Sequence, residues 1–156
     1  MPTFSPFSGS PRNISPSLEQ YVEAIAHLLT QGKVCSVSGI AAEVQVSRPA
    51  VSRAIRELSE QKLVTHESYG YVDLTAKGQS IADRLTARHE AIFRFMAEVL
   101  DFDDDWADQE ACRLEHQLDD ELVARMSELT DFFETDGPSA DAWRERLTGF
   151  LARRPI

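Results

Sequence analysis

The chain has 156 residues, of which 42% are hydrophobic, and a formal net charge of −10. That apolar share can build a core, which excludes a disordered chain, and no run approaches the roughly 20 apolar residues of a membrane span. The charge is lopsided: residues 1–80 hold seven basic and seven acidic side chains, residues 81–156 nine and nineteen, so only the first half is suited to meet a polyanion, while the second can repel one or hold cations.

Residues 1–13 are Pro- and Ser-rich, lack the basic-then-apolar order of an export signal and read as a tail. With no such signal, the expected compartment is the cytoplasm and Cys35 and Cys112 are expected as thiols. Ser17-Leu18-Glu19-Gln20 matches a capping box, and Leu18, Tyr21, Val22, Ile25, Leu28 and Leu29 follow at helical spacing up to a stop at Gly32. After a short extended piece at 34–37, a second helix is predicted over 37–44. Ser47 caps a third helix, with Pro49 in its first turn and Val51, Ile55 and Leu58 as its apolar stripe. Two short strands at 63–67 and 71–74 flank Ser68-Tyr69-Gly70, a hairpin signature. Thr75 caps a long helix over 76–100, with Ile81, Leu85, His89, Ile92, Phe93 and Met96 along one side. An acidic break at 101–105 precedes helices over 106–118 and 121–133. Thr135-Asp136-Gly137-Pro138 is a breaker, and Ser139 starts a last short helix with Trp143, Leu147, Phe150 and Leu151.

Helix, turn, helix and hairpin in this order form a winged helix-turn-helix pattern. Its second helix enters the major groove with its first residues nearest the base edges. The outward positions are Ser47, Arg48, Pro49, Ser52, Arg53 and Arg56, with Tyr69, Gly70 and Lys77 available to the DNA backbone from the wing. Arginine suits both guanine edges and phosphates because its fork donates two parallel hydrogen bonds. Taken alone, the three arginines also read as an ordinary solvated face.

Farther on, Cys112, Glu115 and His116 stand at i, i+3 and i+4, on one helical face. Gln20 and Glu23 share a face of the first helix, and His89 lies on the long one. The mixed hard and soft donors suit a first-row divalent metal better than calcium, with too few sulfurs for a usual structural zinc site. Singly, the same residues have plainer readings: His89 as a hydrogen-bonded core histidine, Cys112 as a small buried hydrophobe, Glu115-His116 as a solvated helix edge. A homodimer is expected because Ile92, Phe95, Met96, Leu100, Phe102 and Trp106 exceed what one small helical bundle can bury.

Five stretches resemble the diphtheria-toxin-repressor family, whose shorter members are manganese transport regulators: residues 17–25, 46–52, 74–78, Arg88-His89 and Glu110-Ala111-Cys112-Arg113-Leu114-Glu115-His116. The resemblance implies a mainly α fold: a winged helix-turn-helix DNA-binding domain over 14–75, an all-helical metal-binding and dimerisation domain over 76–134, a C-terminal helix within 135–156, and no SH3-like third domain. It implies a homodimeric repressor, not an enzyme, that binds a palindromic double-stranded operator when one or two Fe²⁺ or Mn²⁺ ions are loaded per subunit. Gln20, Cys112, Glu115 and His116 match one metal site, and Glu23 and His89 a neighbouring one. Asp108 stands where iron-type members carry a histidine, Phe93 where they carry a carboxylate, and Gln20 where a Met or an Asp is usual. Cys112 resembles the iron-sensing branch; Glu23 resembles the manganese-sensing one. The rival readings are a winged-helix regulator that senses a small ligand or an oxidant without metal, with Cys112 as its sensor thiol, and a small hydrolase, which no His-Glu-x-x-His or nucleophile-elbow motif supports.

Overall fold

The computed structural model describes residues 14–66, 71–135 and 140–153. They fall into two compact units, divided between Thr86 and Ala87.

The N-terminal unit opens with α1 (Pro16–Thr30). The expected capping box does not form: Ser15 is the N-cap, its side chain makes no capping bond, and Pro16 sits at the first helical position. Proline brings no N–H and a preset φ, so the helix starts before Ser17, and the amides of Leu18 and Glu19 bond to the Ser15 carbonyl at 2.9 and 3.0 Å. Leu18, Val22, Ile25 and Leu28 are buried as the spacing predicts, but so is Glu19, at 2% exposure. The helix ends in a Schellman motif. Gly32 takes φ +65°, its amide bonds to the Leu29 carbonyl (3.0 Å), and the Lys33 amide bonds to that of Leu28 (3.1 Å).

Helix α2 (Val37–Val44) has the predicted bounds, with Ser36 Oγ accepting from the Gly39 amide at 3.2 Å. Gln45, left-handed at φ 57°, closes it and turns the chain toward α3 (Arg48–Glu60). Val51, Ala54, Ile55 and Leu58 bury the inner face of α3. Strands β1 (Val64–His66) and β2 (Val72–Leu74) pair antiparallel, Thr65 opposite Asp73. The expected extended piece at 34–37 shrinks to one bridge between Ser36 and Tyr71, and the Val72 amide bonds to the Cys35 carbonyl at 2.9 Å. Residues 67–70, including the candidate contacts Tyr69 and Gly70, lie outside the described residues.

Thr75 begins α4 (Ala76–Arg94) as expected, its Oγ1 accepting from the Gly78 amide at 3.1 Å and donating to the Lys62 carbonyl at 2.8 Å. Gly78 lies so close to the hairpin that a Cβ there would overlap the carbonyl oxygen of Leu63. Backbone, not a flexible side chain, would have to yield, so Gly78→Ala is expected to destabilise the protein by about 1–3 kcal/mol. Urea unfolding checks this; an unchanged midpoint would show that the hairpin gives way freely.

In the C-terminal unit the long helix does not reach 100 as an α-helix. Phe95–Val99 is π-helical, and Asp101 follows in the left-handed region at φ 60°. The expected acidic break at 101–105 becomes a helix start: Asp103 Oδ1 accepts from the Trp106 amide at 3.2 Å, and Asp104 and Asp105 occupy the first turn of α5 (Asp104–Leu114). Carboxylates there satisfy free amides and complement the helix dipole. Helices α6 (Asp120–Thr135) and α7 (Ala140–Leu151) complete the unit; the predicted breaker residues 136–138 and Ser139 lie outside the described residues.

Ala91, Ile92, Met96, Ala107, Ala111 and Val123 form the core of this unit. Ile92 and Met96, counted in the sequence as surplus apolar surface, are thus buried, whereas Leu100, Phe102 and Trp106 are exposed, the last two with ring centroids 4.4 Å apart. Leu122, Leu129 and Phe132 add exposed apolar area. At the π-helix, α7 supplies donors: Trp143 Nε1 to the Val99 carbonyl (3.0 Å) and Arg144 Nε to that of Glu98 (3.2 Å). Among the described residues, no helix is long and apolar enough to cross a membrane.

Candidate metal centre and DNA-facing helix

In the C-terminal unit, Glu115 is the residue around which the candidate ligands gather. Helix α5 ends at Leu114, four residues before the expected end, and Glu115 and His116 lie in the turn that follows. Amides 117 and 118 both bond to the Leu114 carbonyl, which tightens the chain out of the α-helix. Both side chains are inside, Glu115 on the face of α5 that buries Ala107 and Ala111: Glu115 is 3% and His116 8% exposed, so neither is a solvated helix edge. Glu115 has an imidazole against each oxygen, with His89 Nδ1 3.1 Å from Oε2 and His116 Nε2 3.5 Å from Oε1. His89 in turn places Nε2 3.0 Å from Asp108 Oδ1, whose side chain is well exposed. Cys112 is exposed, not a small buried hydrophobe, and neither it nor Cys35 is in a disulfide.

The electrostatics of this group are set by burial. A buried carboxylate is costly unless positive charge or hydrogen bonds offset it. Here the hydrogen bond that His89 donates to Glu115, reinforced by the charge of Glu115 and by Asp108, holds the His89 imidazole well above the ordinary histidine range, at about 9. Near neutral pH His89 is therefore an imidazolium donating from both nitrogens to carboxylates. The arrangement fits a divalent cation on chemical grounds: two imidazoles and two carboxylates in contact, with a proton supplying the positive charge that the buried carboxylate needs. Cys35 has the opposite character. Burial, then the charge of Asp73, pushes its thiol up to about 11, so it stays protonated and inert.

Of the remaining candidates, Gln20 and Glu23 lie one turn apart on α1 in the N-terminal unit, Gln20 exposed and Glu23 half-buried. In the same unit Ser47, Arg48, Pro49, Ser52, Arg53 and Arg56 are all exposed, on or at the start of α3, while the opposite face of that helix is packed in the core. Lys77 Nζ donates to the Gln61 carbonyl at 3.2 Å.

One buried residue in contact with this group is not among the candidates read from the sequence. Arg88, 2% exposed, donates through Nε and Nη2 to the Glu115 carbonyl and through Nη2 to that of Leu118 (3.0, 2.8 and 2.7 Å), and through Nη1 to Asp120. The signal was present: Ile81, Leu85, Arg88 and Ile92 step by four, three and four along one helix face, which puts a permanent charge on the apolar stripe.

Comparison with known proteins assigns the two parts of the chain separately. Residues 13–72 match the N-terminal DNA-binding domain of iron-dependent repressors, and residues 75–143 match their metal-binding and dimerisation domain. The chain belongs to that family, the diphtheria-toxin-repressor family of metal-dependent regulators. Among solved structures it is similar to the manganese regulator SloR (31% identity over 76% of this chain, TM-score 0.64). It is also similar to a manganese-dependent transcriptional repressor in complex with manganese (31%, 74%, 0.65) and to the metal-dependent regulator MtsR (27%, 76%, 0.67). It spans 55%, 53% and 55% of those three chains.

Proposed function

We propose that this protein is a transcription repressor that binds a palindromic operator as a homodimer when Fe²⁺ or Mn²⁺ is loaded, one or two ions per subunit, in the cytoplasm. The observation that carries the reading is Glu115: a carboxylate 3% exposed and flanked by two imidazoles, in a domain of the metal-binding family. His89, Asp108, Cys112, Glu115 and His116 are the ligands from the C-terminal unit, and Gln20 and Glu23 those from α1. The cation supplies the positive charge that lets these donors converge. Its effect on DNA follows from which units the donors belong to: a ligand set drawn from both binds the cation best when donors of both can reach it, and only such differential affinity can shift a conformational equilibrium. The thiolate of Cys112 is soft and Gln20 is neutral, which leans selectivity toward iron; Glu23 and the manganese-regulating relatives support manganese. The test is an anaerobic operator titration with Mn²⁺, Fe²⁺, Co²⁺ and Zn²⁺ and after exhaustive chelation. Chelated protein that binds the operator as tightly as loaded protein would favour a ligand-sensing winged helix instead.

A pH dependence follows from His89. An imidazole must be neutral to ligate, and with a pKa of about 9 that of His89 starts protonated near neutral pH. Metal uptake at pH 7 is expected to release that proton, and apparent affinity should climb as pH rises toward 9. For the metal-free protein the sign is reversed: the raised pKa contributes stability fully present below about 6.5 and lost as pH rises through 9. Calorimetry in buffers of different ionisation enthalpy counts the protons; no release at pH 7 would remove His89 from the ligand set.

A further inference from the structure

Arg88 spends its guanidinium on the segment that carries two of the proposed ligands. Nε and Nη2 both donate to the Glu115 carbonyl, Nη2 also donates to that of Leu118, and Nη1 pairs with Asp120 at the start of α6. Helix α5 closes with Glu115 as its C-cap, so the carbonyl of that residue stands at the helix C-terminus, where the negative pole of the macrodipole asks for a donor and a positive charge. A buried arginine, always charged, satisfies both needs at once. It precedes His89 in α4, and its main acceptor is the residue before His116. One side chain therefore ties the ligand-bearing turn of α4 to the ligand-bearing turn after α5. The two donors on the Glu115 oxygen also match its two lone pairs, which leaves the carboxylate as the group Glu115 can offer to a cation.

We propose that Arg88 is a positioning residue of the metal centre: it fixes the Glu115 carboxylate and the His116 imidazole against His89 before a cation arrives, and it keeps the Glu115 carbonyl out of the coordination sphere. The inference rests on the metal reading above. A lysine at this position keeps the charge but loses the fork that holds two carbonyls and a carboxylate together. Asparagine at 120 keeps Arg88 and loosens one of its anchors.

The test uses the full chain and Co²⁺ as the probe, with parent, Arg88→Lys and Asp120→Asn compared by calorimetry, by the d–d spectrum of the bound ion and by amide exchange of residues 115–118 without metal. For Arg88→Lys we expect affinity roughly 10- to 100-fold lower, the range for residues that orient metal ligands, a changed d–d envelope and faster exchange at 115–118. Asp120→Asn should show the same effects, smaller. Unchanged affinity and spectrum in a folded Arg88→Lys protein overturn the proposal, since a merely structural arginine would lower the melting temperature alone. If Arg88→Lys does not fold, Asp120→Asn decides: parent-like affinity and exchange overturn it. Failure of the parent itself to take up Co²⁺ removes the metal reading and this inference with it, an outcome distinct from a variant that binds like the parent.

Discussion

His116→Ala is expected to abolish metal-activated operator binding in a protein that still folds and dimerises. The imidazole is 8% exposed and lies 3.5 Å from the buried Glu115 carboxylate, so its loss removes a proposed ligand and leaves the carboxylate with His89 alone. Residues that only orient ligands cost roughly 10- to 100-fold in affinity; loss of a ligand itself should cost at least about the upper end of that range. Fluorescence anisotropy on labelled operator, at a metal concentration that saturates the parent, reads the effect. Glu115→Gln provides a second view. It keeps shape and removes the charge that raises the His89 pKa, so His89 should titrate lower by NMR while metal uptake fails. Parent-like operator binding by both variants would sink the metal switch.

The second large effect is expected on α3. Its inner face is held by Val51, Ala54, Ile55 and Leu58, so the helix cannot rotate to hide Arg53 and Arg56. Arg53→Ala should cost about 1–3 kcal/mol on the operator and relax specificity at one base pair if its fork reads a guanine edge. Arg56→Ala should instead weaken all sequences alike and lower the salt slope by about one counterion. Competition against non-specific DNA over a range of salt separates the two. If Arg53→Ala leaves both affinity and base preference intact, Arg53 is not a reader.

Much of the N-terminal unit was legible because each of its elements has one dominant local cause. Helix α2 has its predicted bounds since Ser36 caps it and its two inward residues, Ile40 and Ala41, are fully committed. Legibility failed where two local signals competed, as at Ser15-Pro16 against Ser17. It failed again beyond the end of α5: the Leu114 carbonyl takes the amides of residues 117 and 118, but the Glu115 and Leu118 carbonyls are held by Arg88, 27 and 30 residues earlier in the chain, a long-range contact that nothing in residues 106–118 announces. Cys112, Glu115 and His116 stand at helical spacing, yet Cys112 is exposed while Glu115, in line with the buried Ala107 and Ala111, and His116 are buried.

The π-helical end of the long helix has a consequence for how the C-terminal unit can be divided. The stretch matched to the metal-binding and dimerisation domain ends at residue 143, inside α7. Cutting there would keep the indole that caps the Val99 carbonyl but discard Arg144, which donates to the Glu98 carbonyl and lies 3.7 Å from the carboxylate of the left-handed Asp101. The segment from Leu100 to Trp106, with its outward aromatic pair, starts from that same corner. Helix α7 is thus not a detachable appendage: a form of this unit that keeps both contacts extends past the family boundary to at least Arg144.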